Sequence, residues 1–110
     1  MKVNILGTEY TILFEVPPED MPSDADGCMD CTTKTIKLAR IDPDGDTVKD
    51  LAAYRRKILR HEIVHAFFYE SGLWNCSGSS DAWAMDETIT DWIAIQSPKL
   101  FQAFKEADCL

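Results

Sequence analysis

The stretch DTVKDLAAYRRKILRHEIVHAFFYES runs from Asp46 to Ser71 with no proline or glycine before Gly72, and it holds both histidines of the chain. A run of that length without helix breakers makes about seven turns at 3.6 residues each, so a 110-residue chain has to organise around it. Asp46 or Thr47 can serve as N-cap, Asp50 lies near the first turn, where the helix dipole favours negative charge, and Gly72 is a natural stop. On this helix Tyr54, Ile58, His61, His65 and Phe68 share one stripe, so the two imidazoles point the same way one turn apart. Before them come Lys49, Arg55, Arg56, Lys57 and Arg60, read as a solvated face. After them Ile63, Val64, Ala66, Phe67 and Phe68 cover most of the circumference, which predicts burial of the C-terminal half.

His61-Glu62-Ile63-Val64-His65 is an HExxH run. Two histidines at i and i+4 supply half of a zinc site, and a glutamate about 100° round the helix can reach a water at the metal without ligating it. With only two histidines in the chain, their falling at this spacing by chance is the weaker explanation. A catalytic zinc commonly has three protein ligands, so one more is needed. The longer HExxHxxGxxH pattern is excluded, because Phe68 and Ser71 stand where it would have glycine and histidine. The third ligand is therefore a carboxylate or a cysteine. Glu70 is rotated away on the same helix, which leaves Asp81, Asp86, Glu87 and Asp91 on the segment that follows.

That segment, SDAWAMDETITDWIAIQS, predicts a second helix from Ser80 or Asp81 to just before Pro98, with Met85, Ile89, Trp92 and Ile93 as its core stripe. Glu87 and Asp91 sit one turn apart on the other side, flanked by Trp83, Ala84, Ala94 and Ile95. Acids near a covered surface need a partner, and a metal with its histidines supplies one. Glu87 is the expected third ligand and Asp91 the acceptor that holds an imidazole in the right tautomer. The loop from Leu73 to Ser80 lets the second helix fold back across the first.

HEIVH followed by ETITD resembles the gluzincin arrangement HExxH…ExxxD, and the short chain resembles the minimal gluzincins, including ImmA/IrrE-type peptidases and small phage or prophage relatives. The segment GCMDCTTKTIKLAR is similar to the strand-turn-strand that precedes the active helix in that group. The resemblance implies zinc on His61, His65 and Glu87, Glu62 as general base, and Asp91 hydrogen-bonded to His61. It also implies a zincin-like minimal domain with metallopeptidase activity.

The remaining sequence sets bounds. Length and a hydrophobic fraction of 45% suit one domain over residues 1–110 with a modest core. No apolar run approaches a membrane span and MKVNILGTEY lacks a signal-peptide core, so a cytoplasmic protein without membrane contact is expected. Cys28, Cys31, Cys76 and Cys109 are then expected as thiols. Cys28 and Cys31 form a CxxC, but the other two lack paired spacing, so a second, structural zinc site is the weaker reading. A net charge of −8 disfavours nucleic acid as partner, since phosphate contacts need a basic surface. Six acids and no base between Glu15 and Asp30, with Pro17, Pro18 and Pro22, read as a solvated loop.

Upstream of the long helix the pattern is β. Lys2 to Leu6 and Tyr10 to Val16 form a hairpin about Gly7-Thr8, with Tyr10, Ile12, Phe14 and Val16 on one face. Cys28 to Cys31 and Thr35 to Ile41 form a second, turning at Thr32-Thr33-Lys34. A short last helix begins at Ser97-Pro98. The expected fold class is α+β: a small, mainly antiparallel sheet, then the HExxH helix and two further helices.

The expected chemistry is peptide-bond hydrolysis, in which zinc activates a water, Glu62 takes its proton and the carbonyl is polarised by the metal. A peptide or protein substrate could lie along an edge strand, with Thr35 to Arg40 the candidate. Tyr54, Tyr69 or a backbone N–H would stabilise the oxyanion. The alternative is a zinc-stabilised binding or regulatory module without catalysis. Glu62 argues against it, because a structural site has no use for a base.

Overall fold

A computed structural model of the chain describes residues 1–76 and 87–110. It is an α+β fold: a four-stranded sheet with helices packed on one face. The strands are β1 (Lys2–Ile5), β2 (Thr8–Val16), β3 (Gly27–Asp30) and β4 (Thr35–Ala39), and the helices α1 (Leu51–Glu70), α2 (Leu73–Cys76) and α3 (Glu87–Glu106). Sheet order is β1-β2-β4-β3. β1 pairs antiparallel with β2 and β3 with β4, while β2 and β4 run parallel, so the sheet is mixed.

The first hairpin turns at Leu6-Gly7, one residue earlier than expected. Both residues have positive φ, at 51° and 93°, which is the backbone that a two-residue turn between right-twisted strands needs. The Gly7 N–H donates to Asn4 Oδ1 at 2.8 Å. The second hairpin is closed by Asp30, whose Oδ1 accepts from the N–H of Thr32 at 2.8 Å and from its hydroxyl. These bonds hold the Asp30 carboxyl below its usual range.

The expected inward face of β2 holds at Tyr10, Ile12 and Val16 but not at Phe14, which is 47% exposed. An extra residue in β2 between Leu13 and Val16 breaks the register against β4, and Glu15 there has positive φ. A bulge of this kind ends strict alternation. β4 is also not an edge. It lies between β2 and β3, so Thr35 to Arg40 cannot receive an added strand, and β3 is the edge beside α1.

α1 starts at Leu51, later than expected, because Asp44 and Thr47 spend their polar groups on a turn of their own. Asp50 is the N-cap and accepts from the Ala53 N–H at 3.0 Å. The helix ends at Glu70, with Gly72 at φ +83° where a left-handed residue terminates it. Leu59, Ile63, Ala66 and Phe67 form its buried stripe against Val3, Ile5, Tyr10, Ile12, Ile36 and Leu38 of the sheet. Each such large side chain contributes about 1.5–3 kcal/mol by leaving water.

The two helices expected on either side of Pro98 are one continuous α3. Pro98 removes one helical N–H and normally kinks or ends a helix, yet Leu100 and Ala103 beyond it are buried in the same core as α1 and the sheet. That packing outweighs the lost bond. Of the expected core stripe, Trp92 packs against the core whereas Ile93 is half-exposed. Met85, like Asp81 and Asp86, lies outside the described residues. No helix among the described residues is long and apolar enough to cross a membrane.

Candidate metal centre

His61 and His65 sit on consecutive turns of α1, at the edge of its buried stripe, with His61 exposed and His65 half-buried. Their Nε2 atoms converge to 2.9 Å, with ring centroids 4.6 Å apart and rings nearly perpendicular. Two nitrogens held about 2.0–2.1 Å from a tetrahedral zinc stand about 3.3 Å apart, so the pair needs to open by only a few tenths of an ångström to share an ion. Burial, and then the neighbouring His61, lowers the pKa of His65. That favours the neutral imidazole, which is the ligating form.

Glu62, on the turn between them, is buried, at 7% exposed. Among the described residues no group hydrogen-bonds its carboxylate. Burial raises its pKa, against a smaller lowering by His61. It lines a cavity of 280 Å³ with His61, Ile58, Lys57 and Tyr54 of α1 and with Asp26 and Gly27 at the start of β3. Its carboxylate thus opens on this cavity, with no donor among the described residues.

Of the two tyrosines expected as oxyanion donors, Tyr54 lines this cavity and Tyr69 does not. The Tyr54 hydroxyl donates to Asp26 Oδ2 at 2.6 Å, a bond that raises its pKa. Tyr69 instead stacks edge-on against Trp74 beneath the Lys34 ammonium.

Glu87 and Asp91 lie on the backbone of α3, four residues apart, and their side chains fall outside the described residues. What the structure does place is their neighbour Trp92. Its ring meets Phe68 at 4.8 Å and its Nε1 donates to Ser71 Oγ at 3.1 Å. Phe68 belongs to the same stripe of α1 as the histidines, so α3 crosses the long helix one turn beyond His65. Among the described residues no third His, Cys, Asp or Glu joins the histidine pair.

Cys28 and Cys31 are free thiols at the β3 edge and its turn. Cys28 packs against Val16, Met21 and Ala39, and burial followed by the charge of Glu62 raises its pKa. Cys109 is a free thiol in the main core. The Cys76 side chain lies outside the described residues.

Sequence reasoning missed the part of Asp26, read only within the acidic loop, and of Gly27, read only as the start of the GCMDCTTKTIKLAR strand-turn-strand. A two-residue pocket wall supplied by a distant strand leaves no periodic signal. No protein-family model matches the chain, and no curated protein and no solved structure matches it.

Proposed function

We propose that the protein is a zinc-dependent peptide-bond hydrolase of the gluzincin type, with His61, His65 and Glu87 holding the metal. The observation that carries this reading is the convergence of the two imidazoles on consecutive turns of α1, one of which, His61, lines a cavity together with the buried Glu62. A structural zinc clip would gain nothing from that carboxylate, whose burial costs stability. Bound zinc would supply a Lewis acid that polarises a carbonyl and acidifies water. Glu62 takes the proton of the attacking water and returns it to the leaving amine; its raised pKa brings it closer to the working range of a general base. Tyr54, which lines the cavity, would donate to the developing oxyanion once released from Asp26. An extended peptide would add to the open edge of β3 by main-chain hydrogen bonds, in place of the interior β4. Asp91 would hold His61, and the packing of Trp92 on Phe68 supports an approach of that turn of α3 to the histidine stripe.

Metal analysis of the purified protein tests the reading first. One zinc per chain is expected, lost in His61→Ala and Glu87→Ala and weakened about 10- to 100-fold in Asp91→Asn. Full binding by Glu87→Ala would remove that residue from the ligand set. A protein that binds no zinc at all would end the reading.

A further inference from the structure

Gly27 opens β3 and pairs across the sheet with Leu38. A methyl group on its Cα would stand 2.5 Å from Ile58 Cγ2 and 3.1 Å from both Cγ and Oε1 of Glu62. The first distance is a hard overlap, and the other two are tighter than ordinary van der Waals contact. Gly27 is not among the residues with positive φ, so its own backbone has no need of glycine. A glycine in a strand normally weakens it, and a close approach by another group is the usual reason for one. Here that group is the turn of α1 from Ile58 to Glu62.

We propose that Gly27 is the positioning residue for Glu62: its bare backbone lets the carboxylate seat against the edge strand at the back of the cavity that it shares with His61. The proposal rests on the hydrolase reading, in which that seat fixes the proton acceptor. No hydrogen bond from a described residue holds the Glu62 rotamer, so packing has to. Ile58 cannot swing aside, because a β-branched side chain in a helix has one strongly preferred χ1. An added methyl must therefore displace Glu62 or push α1 off β3. Reacting groups tolerate little of this, since a 1 Å misplacement can cost about 10²-fold in rate.

The test compares Gly27→Ala, Ile58→Leu and the double variant. Leucine has no Cγ2, so Ile58→Leu removes the 2.5 Å overlap and keeps the apolar volume, while the contact with Glu62 remains. The readouts are thermal unfolding, zinc stoichiometry and the side-chain carboxyl ¹³C resonance of Glu62, assigned by its loss in Glu62→Gln. Gly27→Ala is expected to lower Tm and shift the Glu62 resonance with zinc stoichiometry unchanged. Ile58→Leu alone leaves the resonance in place. The double variant recovers Tm but keeps the shifted resonance, and its turnover of a cleaved peptide falls about tenfold with KM unchanged. If Gly27→Ala does not fold, the double variant decides by the same resonance. A Glu62 resonance that stays put in Gly27→Ala, or returns to the wild-type position in the double variant, overturns the proposal and leaves Gly27 a packing residue. Should the wild type cleave no peptide, the hydrolase reading falls while the resonance still decides what Gly27 does.

Discussion

Glu62 and Glu70 lie about two turns apart on the sheet-facing side of one helix, and the protein treats them in opposite ways. Glu70 accepts from the Tyr10 hydroxyl at 2.7 Å, from the Lys34 ammonium and from the Thr8 hydroxyl at 3.3 Å. Burial alone would raise its pKa, but the bonds from Lys34 and Tyr10 overturn that and hold it below its usual value. Tyr10 responds in kind, with burial and then the bond to Glu70 pushing its phenol well above its ordinary range. Glu62 has burial and no donor among the described residues, so its pKa moves up. One carboxylate fastens the end of α1 to the β2 and β4 ends of the sheet. The other has no donor among the described residues and lines a cavity with His61. Glu62 is the more buried of the two and Glu70 the one with donors among the described residues, and a buried acid with a raised pKa is where a working group is sought.

The comparison breaks most sharply at Glu62. Glu62→Gln keeps shape and removes only the proton acceptor, so zinc stoichiometry should stay at one while cleavage of a mixed peptide library, followed by mass spectrometry, falls about 10²- to 10⁴-fold, or about 2.7–5.4 kcal/mol of barrier. Cleavage undiminished in this variant would show that Glu62 is not the base. If neither protein cuts anything but both bind a peptide partner equally, the binding-module alternative takes over.

Glu70 should show the reverse profile. Glu70→Ala strands the fully buried Tyr10 hydroxyl and leaves the Lys34 ammonium to water, a loss of about 1–3 kcal/mol. For a domain of this size Tm falls by about 4–8 °C per kcal/mol. Zinc affinity per folded molecule should not change. A Tm within a degree or so of wild type would mean the cluster is ornamental.

Which parts of this were legible in the sequence follows from the range of the interactions. The long helix, both hairpins and the shared stripe of His61 and His65 are written in local periodicity and turn residues, and they stand within a few residues of where the pattern puts them. The parallel pairing of β2 with β4 is not, because β4 inserts between β2 and β3, two strands that the chain order alone would leave as neighbours of each other. Pro98 misled for the same reason: its local penalty is plain, whereas the burial of Leu100 and Ala103 that overrides it is tertiary. At the site, the identities of Glu62 and the histidines come from spacing alone. The contrast between Glu62 and Glu70 does not, since Lys34, Tyr10 and Gly27 are each remote in sequence from the residue they act on. Glu87 and Asp91 were selected by sequence, and their side chains lie outside what the structure describes.

The smallest effect is the pH dependence that the contrast implies. A carboxyl whose folded pKa is depressed stabilises the fold above its unfolded value, near 4.5 for Glu70, and that contribution is lost as pH falls through the lowered folded value. Glu70 therefore makes the native state acid-sensitive. Asp30 and Asp44 are also held low, by their hydrogen bonds to Thr32 and Asp46, so the wild-type acid slope is not due to Glu70 alone. The difference between wild type and Glu70→Gln isolates it. Followed by thermal unfolding from neutral pH downward, the Tm gap between the two proteins should be constant above pH 4.5 and narrow below it, as protonation costs the wild type what the variant has already lost. A gap that widens on acidification would mean the Glu70 carboxyl is not held in its charged form by Lys34 and Tyr10, and the contrast with Glu62 would then reduce to burial alone.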